Sequence, residues 1–538
     1  MTNRHPIIYI RGYAMTAGER NETTADPFCG FNVGSTLYRA TAHKGKAPEK
    51  MVFESPVVRL MSEFNYQHVY QNGFDIMDDA WEPARNDKGD PIPGIPPASI
   101  VILRYYDDGS EWFGDGESRK VTVYAERLNK LILRVKKLVL EYQKDGEPVM
   151  KDEDFRCYLV AHSMGGLVAR AFLQGVGDYK EARASVDKFF TFSTPHNGID
   201  VLGLNVPSWL TGDQKNTFNR EYMAEYLNLK EISPAFGQRV DLIPVSALTP
   251  DRIFCMVGTN RGDYEVLQGA VRAFVGNGSD GLVRIDNASL WGIKTDSTGQ
   301  LVKNSEVPVA TAYAYRSHSG YLGIVNSEEA YQNLTRFLFG DVRVDIYLDI
   351  EKVSLPPAVE DEVNAGQKLE AGYQFEFSAA PKGKRWFLTR RQSVEDSSAC
   401  RSHEELSGGD KRRRSIYLSS VFLSKWAKVD NDSSLSYAMT ISAKTPDYAI
   451  NRRFLPNAHY EGTDLFRGTA IARLTPPASD NASGGWCVNL SWLDAKGTVN
   501  KVLQFSKEQV SQDICLPFDQ PKIPGIKGVL RLKVQPWK

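Results

Sequence analysis

Ser163 stands in Ala161-His162-Ser163-Met164-Gly165, directly after the apolar run Cys157-Tyr158-Leu159-Val160-Ala161. Leu167, Val168, Phe172 and Leu173 follow at the spacing of one helix face. The pattern reads as a strand, a turn too tight for side chains beside the serine, and a helix. That is a nucleophile elbow of the G-x-S-x-G form with Ala161 in the first place. Ala161 and Gly165 leave room for the turn. Ser163 Oγ is then expected to stand clear of the sheet, with the Met164 N–H facing a developing oxyanion. The chemistry this implies is nucleophilic attack by an activated hydroxyl.

Such a serine needs a base, and the base needs a carboxylate to orient it. On a sheet with a nucleophile elbow the chain order is serine, acid, histidine. Of the eight histidines, only His318, His403 and His459 follow a plausible acid, and the last two lie in a stretch of different character. His318 follows a strand end, where open α/β sheets place their sites, and its neighbours Ser317, Ser319 and Gly320 are small. It is the expected general base. Asp280, Asp263 and Asp286 are the acid candidates. Asp280 comes first, because it sits in a Gly-rich loop ahead of Gly281-Leu282-Val283; Asp263, nearer the end of the strand 253–258, is second. The loop Arg11-Gly12-Tyr13-Ala14 is placed to give the second oxyanion donor, from the Tyr13 N–H or else that of Ala14. His162, beside the nucleophile, is expected to point away and pack. His196, Trp209, Phe218 and Tyr222 are expected to line a substrate pocket. The aromatic stretch around Phe218, Tyr222 and Tyr226 fits either a lid or a helix packed on the body.

Five pieces occur in order: Tyr9-Ile10-Arg11-Gly12-Tyr13, Ala161-His162-Ser163-Met164-Gly165-Gly166, Ser193-Thr194-Pro195-His196-Asn197-Gly198, Ser279-Asp280-Gly281-Leu282-Val283 and Ser317-His318-Ser319-Gly320. Together they resemble α/β-hydrolase-fold esterases and lipases, in particular the compact bacterial lipases and the glycosylphosphatidylinositol-deacylase-like group. The resemblance spans about residues 6 to 340. It implies Ser163, Asp280 and His318 as the triad, Tyr13 and Met164 as the oxyanion donors, and esterase or lipase activity. The chain departs from that family in having Arg11-Gly12 where His-Gly is common, and in large insertions at about 17–50 and 200–250.

The elements that must hold these residues alternate. Apolar strands are expected at 6–10, 99–106, 186–193, 253–258 and 307–315. Helices are expected at 55–66, at 118–142 with Leu128, Leu131, Ile132, Val135, Leu138 and Val139 on one face, and at 327–339. This is an α/β fold with a largely parallel sheet. After Gly340 the period changes to two, as in Val342-Arg343-Val344-Asp345-Ile346 and Tyr373-Gln374-Phe375-Glu376-Phe377. The reading is therefore a catalytic domain over 1–340, with insertions at 17–50 and 200–250, followed by a β-sandwich-like accessory domain over 341–538. Lys411-Arg412-Arg413-Arg414 is expected to be a solvated loop.

A net charge of −1 supplies no field for nucleic acid, and no run is long and apolar enough to span a bilayer. The six cysteines have no C-x-x-C spacing and no His/Cys cluster has zinc spacing, so neither metal nor organic cofactor is expected and a reducing compartment is the simplest reading. No signal peptide is visible at the N-terminus, which predicts a cytoplasmic protein or one exported without a cleavable leader. The expected substrate is a small-molecule or lipid ester, and the C-terminal domain could contact a membrane surface, lipid or glycan. Phospholipase or acyltransferase chemistry fits the same scaffold. The competing class is a non-enzymatic lipid- or glycan-binding protein with a relic hydrolase half.

Overall fold

The apolar runs become strands buried along nearly their whole length, as strands covered on both faces must be. The structure, a computed structural model, describes residues 4–12, 28, 30–39, 45, 49–71, 74–105, 119–175, 177–201, 204–205, 215–231, 233–262, 278–296, 302, 304–320, 322–427, 434–452, 456–477, 485–494, 498–505 and 510–538. Strands β1 (Ile7–Ile10), β2 (Gln67–His68), β3 (Ser99–Leu103), β4 (Cys157–His162), β5 (Val186–Phe192), β6 (Ile253–Gly258) and β7 (Ala310–Ala314) form one sheet in the order β7-β6-β5-β4-β1-β3-β2. The pairings from β2 across to β6 are all parallel. The elbow strand β4 lies between β1 and β5, with Ile10 opposite Ala161 and His162 opposite Phe192. The ends of these three strands therefore converge around Ser163.

Helix α1 (Pro56–Phe64) begins where its cap predicts, with the Ser55 hydroxyl accepting from Val58 N at 3.3 Å and proline at the first position. Helix α2 (Val121–Glu141) buries Leu128, Leu131, Ile132, Val135, Leu138 and Val139, the stripe its periodicity predicts. That stripe packs in one core with Leu167, Val168 and Phe172 of helix α3 (Met164–Gln174) and with Ile8 and Ile10. Each such buried side chain contributes about 1.5–3 kcal/mol to holding the layers together. At the edge of that stripe, the largely covered Lys136 pairs with Asp152 and Glu181 at 2.8 and 3.0 Å.

The run 307–315 is divided. Val307–Pro308 pairs with Trp291–Gly292 in a small separate sheet, and only Ala310–Ala314 enters the main one. Pro308 has no N–H, so a continuous ladder through it is unavailable.

The chain has two compact units: Met1–Val309 with Arg316–Tyr331, and Ala310–Tyr315 with Gln332–Lys538. The division thus falls ahead of the change in period at residue 340. Within the second unit, the Trp537 indole N–H donates to Phe337 O at 2.6 Å and Asn333 Nδ2 to Leu388 O at 2.8 Å, which ties residues 332–339 there. This unit carries two antiparallel sheets, of four and eight strands. Alternate residues of Gly372–Pro381 and Gln512–Asp519 point inward, and one core joins Val344 and Ile346 of the smaller sheet to Phe375, Phe377 and Ile441 of the larger. Lys411–Arg414 is a short exposed helix rather than a loop, capped by the Asp410 side chain. Cys157 and Cys255 are buried free thiols. Among the described residues, no helix is long and apolar enough to cross a membrane, and no group of His, Cys, Asp or Glu is arranged to hold a metal ion.

Candidate active site

The turn from β4 into α3 forces Ser163 to φ 52° and ψ −126°, a region that costs a side-chain-bearing residue about 1–3 kcal/mol. The surroundings over-determine it. Ser163 N–H donates to Phe192 O at 3.0 Å, and Ser163 O accepts from Gly166 N at 3.0 Å. The backbone of β1 presses on the turn so closely that a Cβ on Gly165 would lie 2.3 Å from Ile10 O and 2.5 Å from Arg11 O. One on Gly12 would lie 2.8 Å from Ser163 Cβ. The small residues around Ser163 are thus required by the approach of the neighbouring strand. Met164 is the first residue of α3, so its N–H is one of the amides that a helix start leaves without an intrahelical partner.

His318 and Asp280, remote in sequence, meet Ser163 here. His318 Nε2 accepts from Ser163 Oγ at 2.9 Å, and His318 Nδ1–H donates to Asp280 Oδ2 at 2.9 Å. All three residues are buried. The backbones are tied as well, since His318 N–H donates to Asp280 O at 2.9 Å. The other oxygen of Asp280 accepts from Leu282 N and Val283 N at 3.1 and 2.8 Å, the turn that the small residues after Asp280 make possible. Burial alone would raise this carboxyl. The adjacent His318, the amide of Val283 and the hydroxyl of Ser193 outweigh it and hold the group below the ordinary carboxylate range. Asp280 is therefore an anion at neutral pH, the imidazole is fixed in the tautomer with its proton on Nδ1, and Nε2 is left to take the serine proton. This arrangement can activate a hydroxyl for attack on an electrophilic carbon.

Of the other residues singled out from the sequence, Tyr13, Ala14, Trp209 and Asp263 lie outside the described residues. Asp286 sits exposed on a 3-10 turn, Ile285–Asn287. His196 is fully buried, with Nε2 3.2 Å from Thr191 Oγ1, and burial pushes its imidazole far below the ordinary histidine value. Phe218 and Tyr222 pack on the hydrophobic core. Phe218 precedes and Tyr222 belongs to helix α4 (Arg220–Tyr226), whose N-cap Asn219 accepts from Glu221 N and Tyr222 N. Met223, Leu227 and Leu229 are fully buried, so the described part of the aromatic stretch is a helix packed on the body.

Three positioning features are not evident from the sequence. Arg170 of α3, wholly buried, donates to His196 O, Val240 O and Leu242 O at 2.8–2.9 Å; desolvation pushes its guanidinium down to about 10. Gln174, one turn on, donates to Leu227 O at 2.9 Å. These two side chains fasten the segment from 196 to 242 to the helix that begins at the elbow. Ser193, at φ 42°, carries the hydroxyl next to Asp280. His162 does not simply pack: its Nε2–H donates to His318 O at 2.9 Å. Only a Ser-Thr-Pro-His run and a histidine beside Ser163 signal the last two, and neither specifies a partner.

Sheet order and elbow geometry define the first unit as an α/β-hydrolase domain, the fold of esterases and lipases. Within it, residues 113–206, the segment holding α2, the elbow and β5, match the family model described as the PGAP1-like alpha/beta domain. Among solved structures, the lin2722 gene product of Listeria innocua is 12% identical over 62% of this chain and 94% of its own, with a TM-score of 0.26. Phospholipase PlaB from Legionella pneumophila is 12% identical over 86% of this chain and 89% of its own, with a TM-score of 0.32. The same phospholipase in complex with thio-NAD gives 11%, 93%, 91% and 0.31. The comparison with curated proteins finds no match.

Proposed function

We propose that the protein is a serine hydrolase that cleaves carboxylic esters through an acyl-enzyme, with Ser163 as nucleophile, His318 as general base and acid, and Asp280 as the orienting carboxylate. The observation that supports this reading best is the unbroken chain of 2.9 Å hydrogen bonds from Ser163 Oγ through His318 to Asp280, on an elbow whose strained backbone presents the serine to the imidazole. The Oγ lone pair attacks the ester carbonyl carbon while its proton passes to His318 Nε2. The Met164 N–H stabilises the oxyanion, and the Tyr13 N–H is assigned the second donor. Collapse of the tetrahedral intermediate breaks the bond to the alkoxy oxygen, which leaves as the alcohol with the proton from His318. Water then gives a proton to the same nitrogen and its oxygen attacks the acyl carbon. The acid is released and Ser163 Oγ recovers its proton.

The substrate in this reading is a small-molecule or lipid ester. Catalysis is assigned to residues 1–340, since all three side chains precede residue 340, and an accessory role to residues 341–538. The test is hydrolysis of p-nitrophenyl esters of increasing acyl length by the full chain. A pre-steady-state burst of one nitrophenol per chain is expected, and Ser163→Ala should lower turnover by about 10³-fold or more. Turnover by Ser163→Ala within about tenfold of the parent, or no hydrolysis by the parent across the series, would contradict it.

A further inference from the structure

The side chain of His318 is held at both ring nitrogens, and its backbone lies in a loop rich in small residues. Gly320 has φ +89°, and Ser319 and Gly323 lie close by. The loop has ties of its own: Ser317 Oγ to Ser319 O at 3.1 Å, Ile324 N to Ser317 O at 2.9 Å, and Gly323 N to Gly320 O at 2.9 Å. Residue 318 is also held at its backbone. Its N–H donates to Asp280 O, and its carbonyl accepts from the ring of His162 at 2.9 Å. A carbonyl can only accept, so the proton of His162 is on Nε2. Nδ1 faces the backbone of Gly12, where an added methyl would come within 2.9 Å of it. One imidazole therefore touches the elbow, the loop of the base and the loop after β1.

We infer that His162 is a positioning residue for His318: by donating Nε2–H to the His318 carbonyl it holds the base in line between Asp280 and Ser163. This rests on the reading of His318 as the base. Three groups act on the ring electrostatically: His318, whose centroid is 4.9 Å away, Asp280 and Arg11. Desolvation first, with His318 and Arg11 adding to it, pushes the His162 imidazole down to about 3. It is therefore neutral at every pH where a histidine base works, and it does not compete for the serine proton. Its role is geometric: a displacement of the reacting groups by about 1 Å can cost a factor of 100 in rate.

The test compares His162→Gln, His162→Asn and His162→Leu in the full chain. The Gln amide nitrogen reaches the place of Nε2, the shorter Asn amide falls short of it, and Leu has no donor. With rates normalised to titrated reactive serine, Leu and Asn should lower kcat about 10- to 100-fold with KM within about twofold, and Gln should restore most of the loss. If Leu does not fold, the Gln–Asn comparison decides. Hydrogen exchange across residues 316–324 supplies a readout independent of turnover, and it should quicken in Leu and Asn but not in Gln. Parent kcat and parent exchange in Leu and Asn would overturn the inference, and so would Gln as slow as Asn. If instead the parent chain hydrolyses no ester, the functional reading fails, while the exchange data still report whether His162 holds the loop.

Discussion

At the scale of the residue, the proposed mechanism gives three side chains different work, and each has an environment that suits its part. Ser163 is held in strain, His318 is fixed in one tautomer, and Asp280 is kept charged by an amide pair, a hydroxyl and the imidazole despite burial. Asp280→Asn removes the charge and lets the amide present N–H to Nδ1, favouring the wrong tautomer. Turnover should fall by about 10³–10⁴-fold with little change in KM, measured by steady-state kinetics on a nitrophenyl ester. A loss below about tenfold would assign the orienting role elsewhere. The sequence carried much of this scale. The elbow betrays itself because a turn that tight admits few residue types; chain order narrows eight histidines to three, and the change of period after residue 340 leaves one. The acid was less legible, because a carboxylate is recognised by what donates to it, and the amides of Leu282 and Val283 become donors only once the turn forms. His162 was misread for the same reason: its partner carbonyl lies 156 positions away.

At the scale of the element, the site depends on how closely β1 approaches the β4–α3 turn. Gly165→Ala would drive a methyl into the carbonyls of Ile10 and Arg11, which are backbone and cannot move aside cheaply. The expected cost is about 1–3 kcal/mol of stability together with loss of most activity. Gly409→Ala, where an added Cβ meets nothing within 4 Å, should change stability by less than about 0.5 kcal/mol. Denaturant midpoints of the two variants check the contrast, and equal effects would contradict it. Strands and long helices were legible at this scale, because continuous apolar runs and the 3.6-residue stripe of α2 are local signals. The break at Pro308 carried a local signal too, the missing N–H, but the run around it hid it. The aromatic face of α4 was ambiguous because periodicity gives an apolar side without saying whether that side opens; Arg170 and Gln174, distant in sequence, fasten it.

At the scale of the whole molecule, buried neutral bases set the response to acid. The imidazoles of His162 and His196 are pushed below the unfolded value of about 6.5, so the unfolded chain binds more protons than the folded one as pH falls through that value. Their contribution to stability is full above about pH 6.5 and is lost progressively below it, by about 1.4 kcal/mol per pH unit for each proton taken up. Urea midpoints should therefore fall from pH 7.5 to pH 5, and His196→Asn should flatten the slope; a parent midpoint that is level or rises on acidification would contradict this. The antiparallel, β-rich character of the C-terminal region was legible in the change from helical to two-residue period. The ties of Trp537 to Phe337 and of Asn333 to Leu388 were not, because the partners lie far apart along the chain.

The most direct test of the account is labelling of the folded full chain with a fluorophosphonate, followed by mass mapping of the adduct. The prediction is one adduct per chain, on Ser163, absent in Ser163→Ala and formed far more slowly in His318→Ala. A folded chain that takes up no label, or that carries it at another residue, would contradict the central claim.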